Sequence, residues 1–118
     1  MKYVLLVYGE ETDLHALTPQ RAAKLDADSL AYDRELDRQG KLIVAQALQS
    51  VKTSKSLRRR KGKALITDGP FAETKEQLLG FVMVEAADLA EALKLAEDIP
   101  LAELGTVEIR AVYDIPGS

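Results

Sequence analysis

From Lys2 to Tyr8 the chain reads KYVLLVY, apolar on both alternating sets of positions and rich in β-branched and aromatic residues. Such a run predicts a strand covered on two faces, closed by Gly9. Thr18 offers an N-cap, Pro19 suits a first helical position where no N–H is needed, and Gly40 supplies a left-handed terminator. Between them the spacing predicts a helix from Pro19 to Gln39. Its stripe is Ala22, Leu25, Ser29, Tyr32 and Leu36, with Arg21, Asp28, Arg34, Glu35 and Arg38 left to solvent. Leu42 to Leu48 reads as a second strand, Ser54 to Thr67 as a hairpin turning near Lys61 and Gly62, and Leu78 to Glu85 as another strand. Asp88 with Glu91 three residues on resembles a capping box, opening a helix along Leu89, Ala92, Leu93 and Ala96 that Pro100 ends. The last strand, Thr106 to Tyr113, carries Val107, Ile109, Ala111 and Tyr113 on one face and Glu108 and Arg110 on the other.

This order is the α+β, ferredoxin-like βαββαβ plan with an inserted β-hairpin. Right-handed crossovers put both helices on one side of the sheet. The opposite face then carries Leu5 or Leu6, Val44 or Ala45, and Val82 or Met83, an apolar patch that predicts a homodimer packed sheet on sheet. The 118 residues, 47% hydrophobic and 30% charged, make one domain spanning 1–118. Surface scaling gives roughly 6,300 Å² folded against roughly 18,700 Å² unfolded, enough burial to fold without staples. The absence of cysteine removes disulfides, thiol nucleophiles and thiolate metal sites. No apolar run approaches the roughly 20 residues of a membrane span, and Glu10, Glu11 and Asp13 interrupt any export signal, so a cytoplasmic location is expected.

Charge is unevenly placed. Lys52, Lys55, Arg58, Arg59, Arg60, Lys61 and Lys63 give +7 between Lys52 and Thr67; with a net charge of −3, the remainder carries −10. A basic hairpin on an acidic body could attract an anion, but it also reads as an edge protected from further pairing. Nucleic-acid binding is not expected, since such binders are usually basic overall with aromatics beside the charge.

Immediately after the strand Ala64 to Thr67 stands DGPFAETKEQLLGF, Asp68 to Phe81. With the opening MKYVLLVYG, the Leu48–Gln49 pair, DLAEAL from Asp88, Pro100 and GTVEIR from Gly105, it resembles the YCII-related family in its DGPF branch, over nearly the whole chain. The resemblance implies a dimeric α+β barrel of two ferredoxin-like subunits. It implies bacterial proteins often encoded beside extracytoplasmic-function sigma factors, and relatives that include a dehydrochlorinase acting on a chlorinated aromatic. The histidine–aspartate pair proposed as that family's catalytic unit places its histidine on the first helix. That helix has none here, and the sole His15 falls before Thr18 in a polar loop. The family's double glycine after KEQL is Leu79 and Gly80, and its proline after the penultimate Arg is Ala111.

Two readings of Asp68 stand open. Asp68-Gly69-Pro70-Phe71 has turn chemistry, Asp accepting from backbone N–H groups further on. An Asp at a strand end beside Phe71 also suits a pocket carboxylate with a raised pKa, acting as general acid or base. Lys75 is expected to pair with Asp68 or Glu73, or to stay exposed. Tyr8 reads as core with its hydroxyl at a rim or in a cleft; Gln46, a polar amide in an apolar strand, needs a partner, a ligand or an exposed edge. Glu108 and Arg110 read as an ion pair facing the covered side of the sheet. The expected site is therefore a small-molecule pocket with Asp68 as catalytic candidate and Tyr8, Gln46, Phe71 and Arg110 as lining, with no metal and no cofactor. By the family resemblance alone, its chemistry would be lyase-like or dehydrohalogenase-like. The alternative is a non-catalytic accessory protein whose partner is a sigma factor.

Overall fold

The computed structural model describes all residues, 1–118. In chain order it contains β1 (Lys2–Gly9), α1 (Glu11–His15), α2 (Pro19–Arg38), β2 (Leu42–Ala47), β3 (Lys55–Arg60), β4 (Lys63–Asp68), β5 (Gln77–Glu85), α3 (Leu89–Glu97) and β6 (Thr106–Ala111), with single 3₁₀ turns at Val51–Thr53 and Pro100–Glu103. Four strands form an antiparallel sheet in the order β2-β5-β1-β6, and β3 with β4 forms a separate two-stranded ribbon. This is the ferredoxin-like arrangement with a hairpin inserted between two neighbouring strands.

The helix ends are specified locally. Thr18 Oγ1 accepts from the Arg21 N–H at 3.2 Å, and Pro19 takes the first helical position. At the other end Gly40, at φ 72°, donates to the Asp37 carbonyl and Lys41 donates to Leu36, the paired bonds of a Schellman termination. At α3, Asp88 Oδ1 accepts from the Glu91 N–H at 2.9 Å, while Glu91 reaches back to the N–H of Ala87, one residue before the cap.

Strand register decides which apolar set faces the helices. Tyr3, Leu5 and Val7 of β1 and Val82 and Val84 of β5 are buried against Leu36, Ala92, Ala96 and Ile99. The other set lies on the helix-free face, with two rows running across all four strands: Gln46, Phe81, Leu6, Glu108, and then Val44, Met83, Val4, Arg110. Of the paired alternatives in the sequence, Leu6, Val44 and Met83 therefore stand on the open side.

Two expectations are corrected. Residues 11–15 form a short helix ending at His15 instead of a loop, opened by the turn bonds from Asp13 and Leu14 to the Glu10 carbonyl. Tyr113 is exposed beyond the end of β6, because pairing with β1 stops at Ala111 opposite Tyr3.

The molecule is spread out. Its radius of gyration is 16.3 Å and its extents are 47 × 46 × 19 Å; a compact chain of this length has a radius near roughly 13.5 Å. Its accessible surface of 8651 Å² exceeds the value expected for a self-contained monomer by roughly 2,300 Å². The ribbon explains part of this: β3 and β4 pack mainly on each other, and every residue of both except Ser56 is exposed.

Candidate functional site: a cleft beneath the long helix

Ser29 and Asp33 are four residues apart, one above the other on the side of α2 that faces the sheet. With Tyr32 they border a cleft of about 110 Å³ whose remaining walls include Val7, Ala45, Ala47, Leu79, Gly80, Phe81, Val82 and Ile99. An apolar cavity of roughly 150 Å³ accepts a benzene ring, so this space is of single-ring scale. Tyr32 is fixed at its edge: its hydroxyl donates to the Leu95 carbonyl at 2.6 Å, and burial pushes its pKa up.

Asp33 is half-buried, has no hydrogen-bond or ion-pair partner in the protein, and has a pKa raised above the usual carboxylate value of 3.8 by burial. A carboxylate in that state exchanges protons more readily near neutral pH than a solvated one. The sequence reading missed it, because Asp33 stands among Arg34, Glu35 and Asp37 in a charged stretch. The available signal was its four-residue step from Ser29, which lies on the apolar stripe.

A second, larger groove of about 760 Å³ runs between α2 and the segment from Leu95 to Leu104. Its charged residues are exposed, Asp28 excepted. Lys24 pairs with Asp28 at 2.7 Å, and Glu35 is held at a pKa of about 2 by hydrogen bonds from Arg38 and Gln39. The smaller cleft is the better candidate for chemistry, because its acid, Asp33, is half-buried as well as unpartnered.

The expected site residues divide between two places. Gln46 touches the rim of the cleft from edge strand β2, but its exposed side chain has the facing of Phe81 on the open face and makes no hydrogen bond within the protein. Tyr8, opposite Thr106, shares the parity of Leu6 and so belongs to the open face. Arg110 also lies on that face, its Nη1 3.6 Å from Glu108 Oε2. Asp68 and Phe71 are elsewhere, at the root of the ribbon. The Asp68 side chain is 88% exposed and pairs with Lys55 directly across the ribbon, with no backbone N–H bonded to it. Phe71 is 80% exposed. The turn itself rests on Gly69, at φ 86°, whose N–H donates to the Ser54 carbonyl. Lys75 is paired with Glu10 at 3.8 Å instead of with Asp68 or Glu73.

Glu11 organises that root. Its carboxylate accepts from Ser50 Oγ and from the Val51 N–H, each at 2.8 Å, and its own N–H donates to Gln77 Oε1 at 2.9 Å. These bonds tie both ends of the inserted segment to the end of β1, and the Val51 and Ser50 donors lower the Glu11 pKa.

No helix is long and apolar enough to cross a membrane. Residues 1–116 match the model of the YCII-related domain. An uncharacterized protein of Rhizobium meliloti (strain 1021) is 37% identical over 112 residues, covering 93% of this chain and 90% of its own. Among solved structures, the chain resembles a 5-chloro-2-hydroxyhydroquinone dehydrochlorinase from Burkholderia phenoliruptrix AC1100 in complex with 2,5-dihydroxybenzoquinone. The TM-score is 0.55 at 17% identity, over 96% of this chain and 94% of that one, a likeness of fold.

Proposed function

Because the chain belongs to the YCII-related family, we propose that it is a two-fold dimer that binds a small, partly apolar molecule in the cleft beneath α2 and carries out acid–base chemistry on it. The observation that carries this reading is Asp33: a half-buried carboxylate without a partner in the protein, facing a ring-sized space. Its charge is disfavoured by burial, so it suits the role of a base that accepts a proton from a bound substrate and returns it to water.

The dehydrochlorinase that shares the fold suggests the reaction class. In an elimination of that kind Asp33 takes a proton from the substrate, the electron pair released forms the new double bond, and halide leaves from the neighbouring carbon. Ser29, on the same side of α2 as Asp33, is the polar group placed to orient a substrate hydroxyl. Asp68 enters this reading only through a second chain, because on its own chain it faces solvent and Lys55.

The direct test is titration with 2,5-dihydroxybenzoquinone and an assay of halide release from a chlorinated hydroxyhydroquinone. The wild-type protein is expected to bind the quinone saturably, and Ala45→Phe, which fills the cleft, to abolish binding. Asp33→Asn is expected to keep binding and lower halide release by roughly 10² to 10⁴-fold. A wild-type protein that neither binds the quinone nor releases halide contradicts the reading.

A further inference from the structure

The ribbon formed by β3 and β4 is the part of the molecule that its own chain leaves unexplained. Two-stranded ribbons are marginal in water unless a face is covered. Here Leu57 and Ile66, cross-strand neighbours on one face, are 62% and 64% exposed, and Leu65 on the other face is exposed as well. Yet the ribbon is firmly built. Lys61 and Gly62 both take positive φ, 51° and 75°, the tight primed turn that matches strand twist. At the other end the Glu11 carboxylate clamps the root through Ser50 and Val51. It is an arm, aimed and held, whose apolar side chains its own chain leaves exposed.

We infer that this arm packs on the body of a second copy of the chain, an inference that rests on the dimer proposed above. Two observations name the occupant. Residues 52–67, which hold nearly all of the arm, carry +7 and the rest of the chain −10, so a second copy supplies the complementary charge while two arms repel each other. The area points the same way. The open sheet face, about six residues by four strands, covers roughly 400 Å² in projection. The excess of the 8651 Å² surface over a self-contained monomer is roughly 2,300 Å². Sheet-on-sheet packing leaves much of that excess uncovered, and the arm is where the remaining apolar side chains are. Phe71, at the arm's root, is carried to the same interface.

The test places a photoreactive side chain on the arm by Leu57→p-benzoylphenylalanine in the otherwise intact chain, with sedimentation run on the same sample. Irradiation is expected to give a covalent dimer in which the arm is joined to body peptides, from residues 1–51 or 77–118 of the other chain. Arg58→Ser with Arg59→Ser and Arg60→Ser is expected to lower the yield several-fold, and an unchanged yield overturns the charge argument. A sedimenting dimer that gives no covalent dimer, or only arm-to-arm products, overturns the arm's placement and leaves the sheet-face dimer standing. A monomer by sedimentation overturns both.

Discussion

Burial beneath α2 disfavours the charged form of Asp33, and this has a consequence for stability as well as for chemistry. A carboxyl whose folded pKa lies above its ordinary 3.8 costs the fold nothing at low pH, where it is protonated folded and unfolded alike. The cost appears as pH rises through 3.8 toward the folded value, and it persists at neutrality. Asp33→Asn is therefore expected to melt above wild type at about pH 7 and level with it at about pH 3, measured by thermal unfolding at the two conditions. Glycines give a second prediction. A Cβ at Gly105 would lie 1.9 Å from the Tyr8 carbonyl oxygen, and one at Gly80 would lie 2.6 Å from that of Gln46. Neither obstacle is a side chain that can swing aside. Gly105→Ala is expected to cost about 3 kcal/mol or more in chemical denaturation, with Gly80→Ala smaller but of the same sign. Of the altered family doublet, Gly80 is the position where a side chain has no room, against the Gln46 carbonyl.

At the scale of elements, the inserted segment depends on Glu11. Its two accepted bonds at 2.8 Å hold the strand-to-arm linker, and they lower its pKa below 4.5. That contribution is present above pH 4.5 and is lost as pH falls through the folded value, the opposite slope to Asp33. Glu11→Ala is expected to cost about 1–2 kcal/mol near neutrality and little in acid, with faster amide exchange at Val51 and Leu57. The caps of α2 and α3 and the turn at Lys61–Gly62 were legible because each is fixed by a few adjacent residues. The facing of β1 was not, since Tyr3, Leu5 and Val7 are as apolar as Val4, Leu6 and Tyr8 and only pairing with β5 and β6 separates them. The site was hardly legible. Gln46, polar in an apolar strand, has the facing of Phe81 on the side of the sheet away from α2, and Asp68 of DGPF is surrounded by a turn and Lys55. Asp33 escaped because its environment is made by β2 and β5, far away in sequence.

At the scale of the whole molecule, the proposed dimer rests on a flat 47 × 46 × 19 Å body with 12 of 118 residues buried, an open apolar sheet face and a protruding arm. Covering roughly 2,300 Å² on each copy corresponds to an obligate-size interface. A carboxylate planted in the open face, by Leu6→Asp or Phe81→Asp, is then expected to break the assembly, read as concentration-dependent dissociation in size-exclusion chromatography. Sedimentation equilibrium of the wild-type protein at micromolar concentration tests the central claim most directly. The expected result is a single species of twice the 12.9 kDa chain mass. A fully folded 12.9 kDa monomer under those conditions contradicts the account.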